Sequence, residues 1–416
     1  MTSFDSFKWT ESNLKMRRFI LIATLFFAFF IYGLYLTQFH FSVLTDELQA
    51  KNPVGFYDYR GQIDVHTTIG QGSGSPNEVI QAAQETNNDF ILINDINDFT
   101  LNYSSEGYHH QTLTLVGGQY NYVDSHLIFF DVLHKSPIDS FGKAQVVLAD
   151  QLSQKLTDKS KDILILAHPF KQGYSWTGAI PSGLDGFELL NLKVIWQKAW
   201  QKSKISFLWS LITYPFNSQL ALLRLYEDPH EEMELWDSTL RTRKFTAFAG
   251  SDATAKTGSI GTFSVKFPSY QLSFGLLSNH VLLTSELTGN FDGDRKKIID
   301  ALKRAQFYMS FDILANPKGF NCFIEENERI YGLGSDIHFT PHLVLFTHLP
   351  QKPRVDFEVI VIKDGVSIKT FNTQDSKFEI SSKGVYKVAV RVIPTFPLPD
   401  GKRWLTWIYT NPFYVN

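Results

Sequence analysis

The pattern that most restricts how this chain can fold is a set of short apolar runs that stop abruptly on polar residues. "DFILIND" (Asp89–Asp95), "KDILILAHPF" (Lys161–Phe170), "DGFELLN" (Asp185–Asn191) and "FTAFAGSDA" (Phe245–Ala253) each hold a continuous apolar stretch that ends on Asn, Asp, His or Ser. Such a run predicts a strand buried on both faces, as in a parallel sheet covered by helices. "QIDVH" (Gln62–His66), "LTLVGGQ" (Leu113–Gln119) and "HLIFFDV" (His126–Val132) add further strands. "SPNEVIQAAQETN" predicts a helix, with Ser75 as N-cap, Pro76 in the first turn and Glu78 at the capping-box position. A longer helical region runs over 192–244 with breaks near Pro215 and Pro229. In α/β folds the chemistry gathers at the carboxyl ends of parallel strands. His66, Asp95, His168, Glu188 and Asp252 all stand at or just past such ends. They are therefore expected to face one central pocket of a barrel-like domain spanning residues 57–318.

From about Gly319 the pattern changes. "PHLVLFTHL", "VDFEVIVIKDG", "SKFEISSKG" and "VYKVAVRVIP" alternate apolar and polar residues between Gly, Asp and Pro. This predicts an all-β sandwich over 319–416, a surface through which a protein partner is expected to associate.

The N-terminus carries a membrane signal. Phe19 to Phe39 holds no charged residue and is long enough, as a helix, to cross a hydrocarbon core of about 30 Å. Lys15, Arg17 and Arg18 precede it, and Asp46 and Glu47 are the first charges after it. The positive-inside rule then places residues 1–18 in the cytoplasm and the main domains outside it, periplasmic or extracellular. The run exceeds a typical signal-peptide core and no A-x-A-like site follows, so an uncleaved single-pass anchor over 19–39 is expected, with 40–56 as a linker. Formal net charge is -3 and no long basic block occurs, which argues against nucleic acid as a partner. The single cysteine, Cys322, excludes an intrachain disulfide and a cysteine-rich zinc site. Any metal must be held by His, Asp, Glu or Asn.

The segments from Tyr59 onward resemble the PHP (polymerase and histidinol phosphatase) superfamily of metal-dependent phosphoesterases, in its membrane-linked or exported bacterial branch. "YRGQIDVHTTIGQGSGSPNEVIQAAQ" is similar to the family opening "RGxIHxHTxxSDGxxSPxEvvxxA". "DFILINDIND" resembles "DFvviTDHN", "ILAHPF" the "HP" strand end, "GFELLN" the "GiEvxN" segment and "FAGSDATA" the "GSDaH" segment. The resemblance implies a distorted (β/α)7 barrel whose strand ends hold two or three divalent metals. Carried over position by position, it is uneven. The first histidine of the opening pair falls on Asp64 and the second on His66. The aspartate of "SDG" falls on Gln71, the histidine of "TDH" on Ile96, and a glutamate on Gln119. His126 and His168 match family histidines, Asp252 matches the aspartate of "SDaH", and its histidine falls on Thr254.

About half of the implied ligands are thus replaced. Ile96 cannot bind a metal, and neutral Gln71, Gln119 and Thr254 are poor ligands. Asp64, His66, His168 and Asp252, with His126 nearby, remain. Such N/O donors suit one Zn, Mn or Fe ion at most. An inherited polar pocket without metal is the competing reading for the same residues. Asp95 is expected to cap a loop, while Glu188 and Asn191 either line the pocket or end a buried strand. The acidic tract "EDPHEEMELWD" (Glu227–Asp237) reads as a solvated helix face. "GQGSGS" lacks the lysine of a phosphate-binding P-loop. Three functions stay open: a degenerate phosphoesterase that keeps a ligand pocket, a hydrolase working with one metal, and a structural envelope protein.

Overall fold

The computed structural model describes residues 4–44, 55–98, 103–130, 140–156, 163–260, 263–266 and 268–416, with backbone alone for 4–13, 257–260 and 263–266. Asp46, Glu47, most of the expected linker and the end of "HLIFFDV" lie outside the described residues.

The apolar runs form the expected strands. β1 (Tyr57–Val65), β2 (Phe90–Ile93), β3 (Thr112–Val116), β4 (Gly118–Tyr122), β5 (Ser125–Phe130), β6 (Ile163–Ala167), β7 (Gly186–Asn191) and β8 (Thr246–Ala253) belong to one parallel-rich sheet. β1 pairs in parallel with β2 on one side and β8 on the other, β2 with β3, β8 with β7, and β7 with β6. β5 runs antiparallel to both β4 and β6, and only Gly117 separates β3 from β4. The parallel strands β2, β6, β7 and β8 are buried at every position, which explains why they read as continuous apolar runs.

Helix α2 (Pro76–Glu85) follows β1 and starts on the full capping box. The Ser75 hydroxyl accepts from Glu78 N, and the Glu78 carboxylate accepts from Ser75 N. This satisfies two of the free amides at the helix start. The expected helical region 192–244 divides into helices at Leu192–Lys202, Lys204–Thr213, Ser218–Arg224 and His230–Leu240. Within the last, Glu232 is buried and accepts two hydrogen bonds from Lys198, so the tract is only partly a solvated face. A tertiary ion pair overrides the surface character of an acidic sequence here.

The C-terminal strands pair antiparallel, except that Asp336–Ile337 runs parallel to Phe413–Val415. Asn321–Glu326, Val344–His348 and Asp375–Glu379 build one sheet. Asp356–Lys363, Gly384–Ile393 and Leu405–Thr410 build another. The second is continuous with the main sheet. β1 pairs with β9 (Ser278–Leu283), β9 with β10 (Phe307–Ser310), and β10 with Leu405–Thr410. Trp407 is fully buried at this junction and donates to the Ala315 carbonyl.

The N-terminal helix α1 (Phe4–Leu36) contains a segment, Leu14–Leu36, that is long and apolar enough to cross a membrane. It ends at Leu36 rather than Phe39. Asn217 Nδ2 donates to the carbonyls of both Leu36 and Phe39 and so caps the helix where the chain turns away.

Candidate metal centre and lysine clamp

The site forms where β1, β2, β6, β7 and β8 end. Three of its side chains sit on backbone bent into the left-handed region: Asp64 at φ 63°, His168 at φ 31° and Asp252 at φ 41°. The pairing of β1 with β2 and β8 also shifts register around Asp64. For residues other than glycine such backbone costs on the order of 1–3 kcal/mol each and tends to cluster at functional sites. Three separate strand ends are thus distorted toward one place.

There Asp64, His66 and Asp252 converge, each fully or nearly fully buried. Their ligand atoms all lie within 4.8 Å of one another. His66 Nε2 is 3.1 Å from Asp64 Oδ1 and 3.6 Å from Asp252 Oδ1. Neither ring nitrogen of His66 has a partner in hydrogen-bond geometry. A buried imidazole without hydrogen bonds is uncommon, and its aim at two carboxylates fits the donor set of one divalent ion. Burial alone would lower the His66 pKa, but Asp64 and Asp252 outweigh it and push it up to about 9.

The second ion that the family resemblance implies meets a different arrangement. Lys171 Nζ donates to Asp252 Oδ2 at 2.7 Å, and Lys193 Nζ donates to Asp252 Oδ1. Although burial would raise the Asp252 pKa, Lys193, His66 and Lys171 hold it well below the usual carboxylate range. The Lys171 ammonium is itself raised, because Asp252, Asp64 and Glu188 overcome its burial. Both carboxylate oxygens of Asp252 are therefore engaged by fixed cations. Among the described residues, Asp64, His66 and Asp252 form a group that could hold an ion, and that ion would share Asp252 with two ammonium groups.

The other expected site residues surround this core. His126 Nδ1 and His168 Nε2 share a hydrogen bond of 3.0 Å. Burial, with Lys171 next in size, lowers His126 to about 4 and His168 to about 3, so both are neutral near pH 7. Glu188 Oε2 accepts from His168 N (2.8 Å) and Asn191 Nδ2 (3.0 Å), while its Oε1 has no partner. Burial first, then Asp64 and Asp252, raise Glu188 well above its usual pKa. Gly250 makes room for this carboxyl: a Cβ there would fall 1.6 Å from Glu188 Oε1. Asn191 caps helix α3 (Leu192–Lys202) through Oδ1 and reaches Asp64 Oδ2 through Nδ2. Gln119 Oε1 accepts from Asn94 Nδ2 (2.9 Å), which also donates to Asp64 Oδ1 (3.1 Å).

Asp95 caps the loop that follows β1, accepting from Thr67 N and Thr67 Oγ1. Ile96 forms a parallel bridge with Gln119. Gln71 lies half-buried in the turn after His66. Thr254 acts through its carbonyl, which accepts from Ser73 N and the Tyr270 hydroxyl. The glycine-serine loop folds back on β1 so closely that a Cβ at Gly72 would lie 2.3 Å from the His66 carbonyl oxygen.

Sequence reasoning missed Lys171, Lys193 and Asn94. Each stands one to three residues past an apolar strand end or its final polar residue, the same positional signal that picked out the histidines. A lysine at such a place reads as surface charge, so the signal was legible only for metal-ligating residue types.

No family model and no curated protein matches the chain. Among solved structures it is similar to PHP-like metal-dependent phosphoesterases. A two-domain protein from Bacteroides vulgatus, containing a predicted PHP-like metal-dependent phosphoesterase, aligns at TM-score 0.38 and 12% identity over 87% of this chain and 98% of that one. PsfC from Pseudomonas syringae aligns at TM-score 0.37 and 10% identity, over 62% and 94%. A protein from Bifidobacterium adolescentis, named as a metal-dependent phosphoesterase by prediction, aligns at TM-score 0.28 and 12% identity, over 50% and 92%. At these scores the likeness is loose and identifies no activity.

Proposed function

We propose that the chain is a membrane-anchored, extracytoplasmic PHP-type protein whose phosphoesterase centre is degenerate and serves as a binding pocket for an anionic group. The pairings of β1 with β2 and β2 with β3, the passage of the chain through Gly117 into β4, and the pairings from β4 through β5, β6 and β7 to β8, which pairs again with β1, are read as the distorted barrel, and the C-terminal sheets as the sandwich. The observation that carries the proposal is the clamp of Lys171 and Lys193 on Asp252. A two-metal site works by clamping the attacking and leaving oxygens. Here fixed ammonium groups stand where a second ion would need the Asp252 carboxylate. Lys171 and Lys193 bring two ammonium groups against the single carboxylate of Asp252, which suits a phosphate or carboxylate group reaching Lys193. The Lys193 side chain is 24% exposed, whereas those of Asp64 and His66 are closed to solvent.

The orphaned ring nitrogens of His66 favour a second reading, a hydrolase working with one metal and with Glu188 as its proton donor. Elemental analysis of the purified full chain, with turnover of a generic aryl phosphate, separates the two. The degenerate reading expects at most one ion per chain and no turnover above that of a His66→Ala variant. One ion with turnover that disappears in His66→Ala would replace it with the second reading. Two or more ions with robust turnover would refute both.

A further inference from the structure

Outside the site, the largest unexplained feature is an apolar helix with its hydrophobic face uncovered. Helix α4 (Lys204–Thr213, "KISFLWSLIT") exposes Ile205 (83%), Leu208 (49%) and Ile212 (52%), which recur at helical spacing along one face, with Leu211 beside them. Leu398, in a separate loop, is 78% exposed. A water-soluble surface has no reason to gather these groups.

The same helix is fastened to α1. Trp209 stacks on Tyr32 at 5.8 Å and meets Phe29 edge-on at 6.1 Å. Phe216, just beyond α4, packs edge-on against Phe29 and Phe30. Its ring lies on Gly33 so closely that a Cβ there would be 2.4 Å away. The Tyr32 hydroxyl donates to the Leu398 carbonyl at 2.7 Å, which brings the exposed Leu398 to the same place.

Length then decides where this cluster lies. Arg18 is the last charge before the apolar run, and α1 ends at Leu36. At about 1.5 Å per residue the uncharged part rises about 27 Å, close to the roughly 30 Å of a hydrocarbon core. Essentially all of it is needed to cross. Phe29 and Tyr32 lie about 10 Å and about 6 Å before the helix end by the same rise. Sliding α1 far enough to lift Phe29 into water would draw Lys15, Arg17 and Arg18 into the core, at roughly 2.5–3.5 kcal/mol for each charge brought near its centre.

Resting on the reading of α1 as a membrane span, we infer that helix α4 and Leu398 are embedded in the bilayer surface beside the anchor, with Ile205, Leu208, Leu211 and Ile212 in the acyl region. The depth matches the roughly 5–10 Å at which interfacial amphipathic helices lie. The occupant of the apolar face is lipid. Trp200, Lys202 and Lys204 stand at its start, the residue types that mark a membrane–water boundary. The consequence is a second attachment that stops the external domain from swinging on its linker and holds the site at a set orientation to the membrane.

The test uses the full chain in phosphatidylcholine vesicles, with single cysteines carrying an environment-sensitive fluorophore. The native Cys322 is buried and gives little background. Labels replace Leu208 and Ile212 on α4 (Leu208→Cys, Ile212→Cys), Phe26 in the span (Phe26→Cys) and the distant, exposed Val366 (Val366→Cys). Nitroxide-bearing lipids report lipid contact, and aqueous iodide reports water. The inference expects labels at 26, 208 and 212 to emit to the blue and to be quenched by the lipids, with iodide quenching only the label at 366. Lipid quenching at 26 but iodide quenching at 208 and 212 would overturn the interfacial helix and leave the anchor standing. Protection of 208 and 212 from both quenchers would show a second copy on that face and would also overturn it. Iodide quenching at 26 would overturn the span and this inference with it.

Discussion

Replacing His280 by glutamine should cost about 3 kcal/mol of stability at pH 6 and much less at pH 10. His280 sits in β9, fully buried, with Nδ1 2.8 Å from Asp58 Oδ1 and Nε2 3.4 Å from Asp312 Oδ1. Burial alone would lower its pKa, but the two carboxylates raise it from the ordinary 6.5 to about 9. At 1.36 kcal/mol per pH unit this is about 3 kcal/mol of proton-linked stability. The folded pKa lies above the unfolded one. The contribution is therefore complete below about pH 6.5 and is lost as pH rises through about 9. Removing one partner of a buried ion pair commonly costs about 3–5 kcal/mol. The low end applies here, because Asp58 keeps the Tyr308 hydroxyl and Gly319 N–H, and Asp312 keeps Arg60 and Ser278. Urea unfolding of both proteins in detergent, followed by tryptophan fluorescence, measures the difference, with Trp236 and Trp407 as buried reporters. His66 titrates over the same range but is present in both proteins, so its effect cancels in the comparison. A wild-type-to-variant difference that stays constant from pH 6 to pH 10 would refute the charged state of His280.

Replacing Lys171 and Lys193 together by methionine should free Asp252 and raise zinc or manganese stoichiometry, measured by elemental analysis. In the apo form the same variant should lose stability and recover it on adding metal, because Asp252 is left buried without a partner. Restoring histidine at 64, 96 and 254, aspartate at 71 and glutamate at 119 should raise metal content further only when both lysines are also removed; a full metal complement with the lysines in place would show that the clamp is not exclusive. Gly250→Ala should destabilise the fold by about 1–3 kcal/mol, read by chemical denaturation, since its Cβ would overlap Glu188 Oε1. A compartment-specific reporter fused after Asn416 should be active outside the cytoplasm, and activity of a cytoplasm-only reporter there would reverse the proposed orientation.

The positions of His168 and Asp252 were legible because a buried parallel strand has an unmistakable apolar signature and its end is marked by the first polar residue, whereas Asp64, inside the more polar strand β1, was picked out only by the resemblance of "YRGQIDVH". The Ser75–Glu78 capping box was legible for a similar reason, as it is closed within four residues. The clamp was not. Lys171 and Lys193 reach Asp252 across 81 and 59 residues, and nothing local separates a lysine that will be buried against a carboxylate from one left in water. Their presence also changes the charge balance of the pocket. Asp64 and Asp252 by themselves would repel an anion, yet the folded site already carries the cations that offset them. Likewise, the left-handed backbone at Asp64, His168 and Asp252 has no sequence mark, because none of these positions is glycine.

By itself, then, the amino-acid order determined the local facts: which runs are apolar enough to be strands, where they end, which helix is capped, and that one segment is long enough to cross a bilayer. Each depends on periodicity, length or contacts only a few residues apart. Tertiary structure alone decided that Asp252 belongs to two lysines, that His280 holds Asp58 and Asp312 together, that β10 joins the C-terminal sheet to the main one, and that "KISFLWSLIT" lies against helix α1. These are contacts between segments distant in the chain. They are settled by which groups must share a buried, low-dielectric interior, a condition that no single segment encodes.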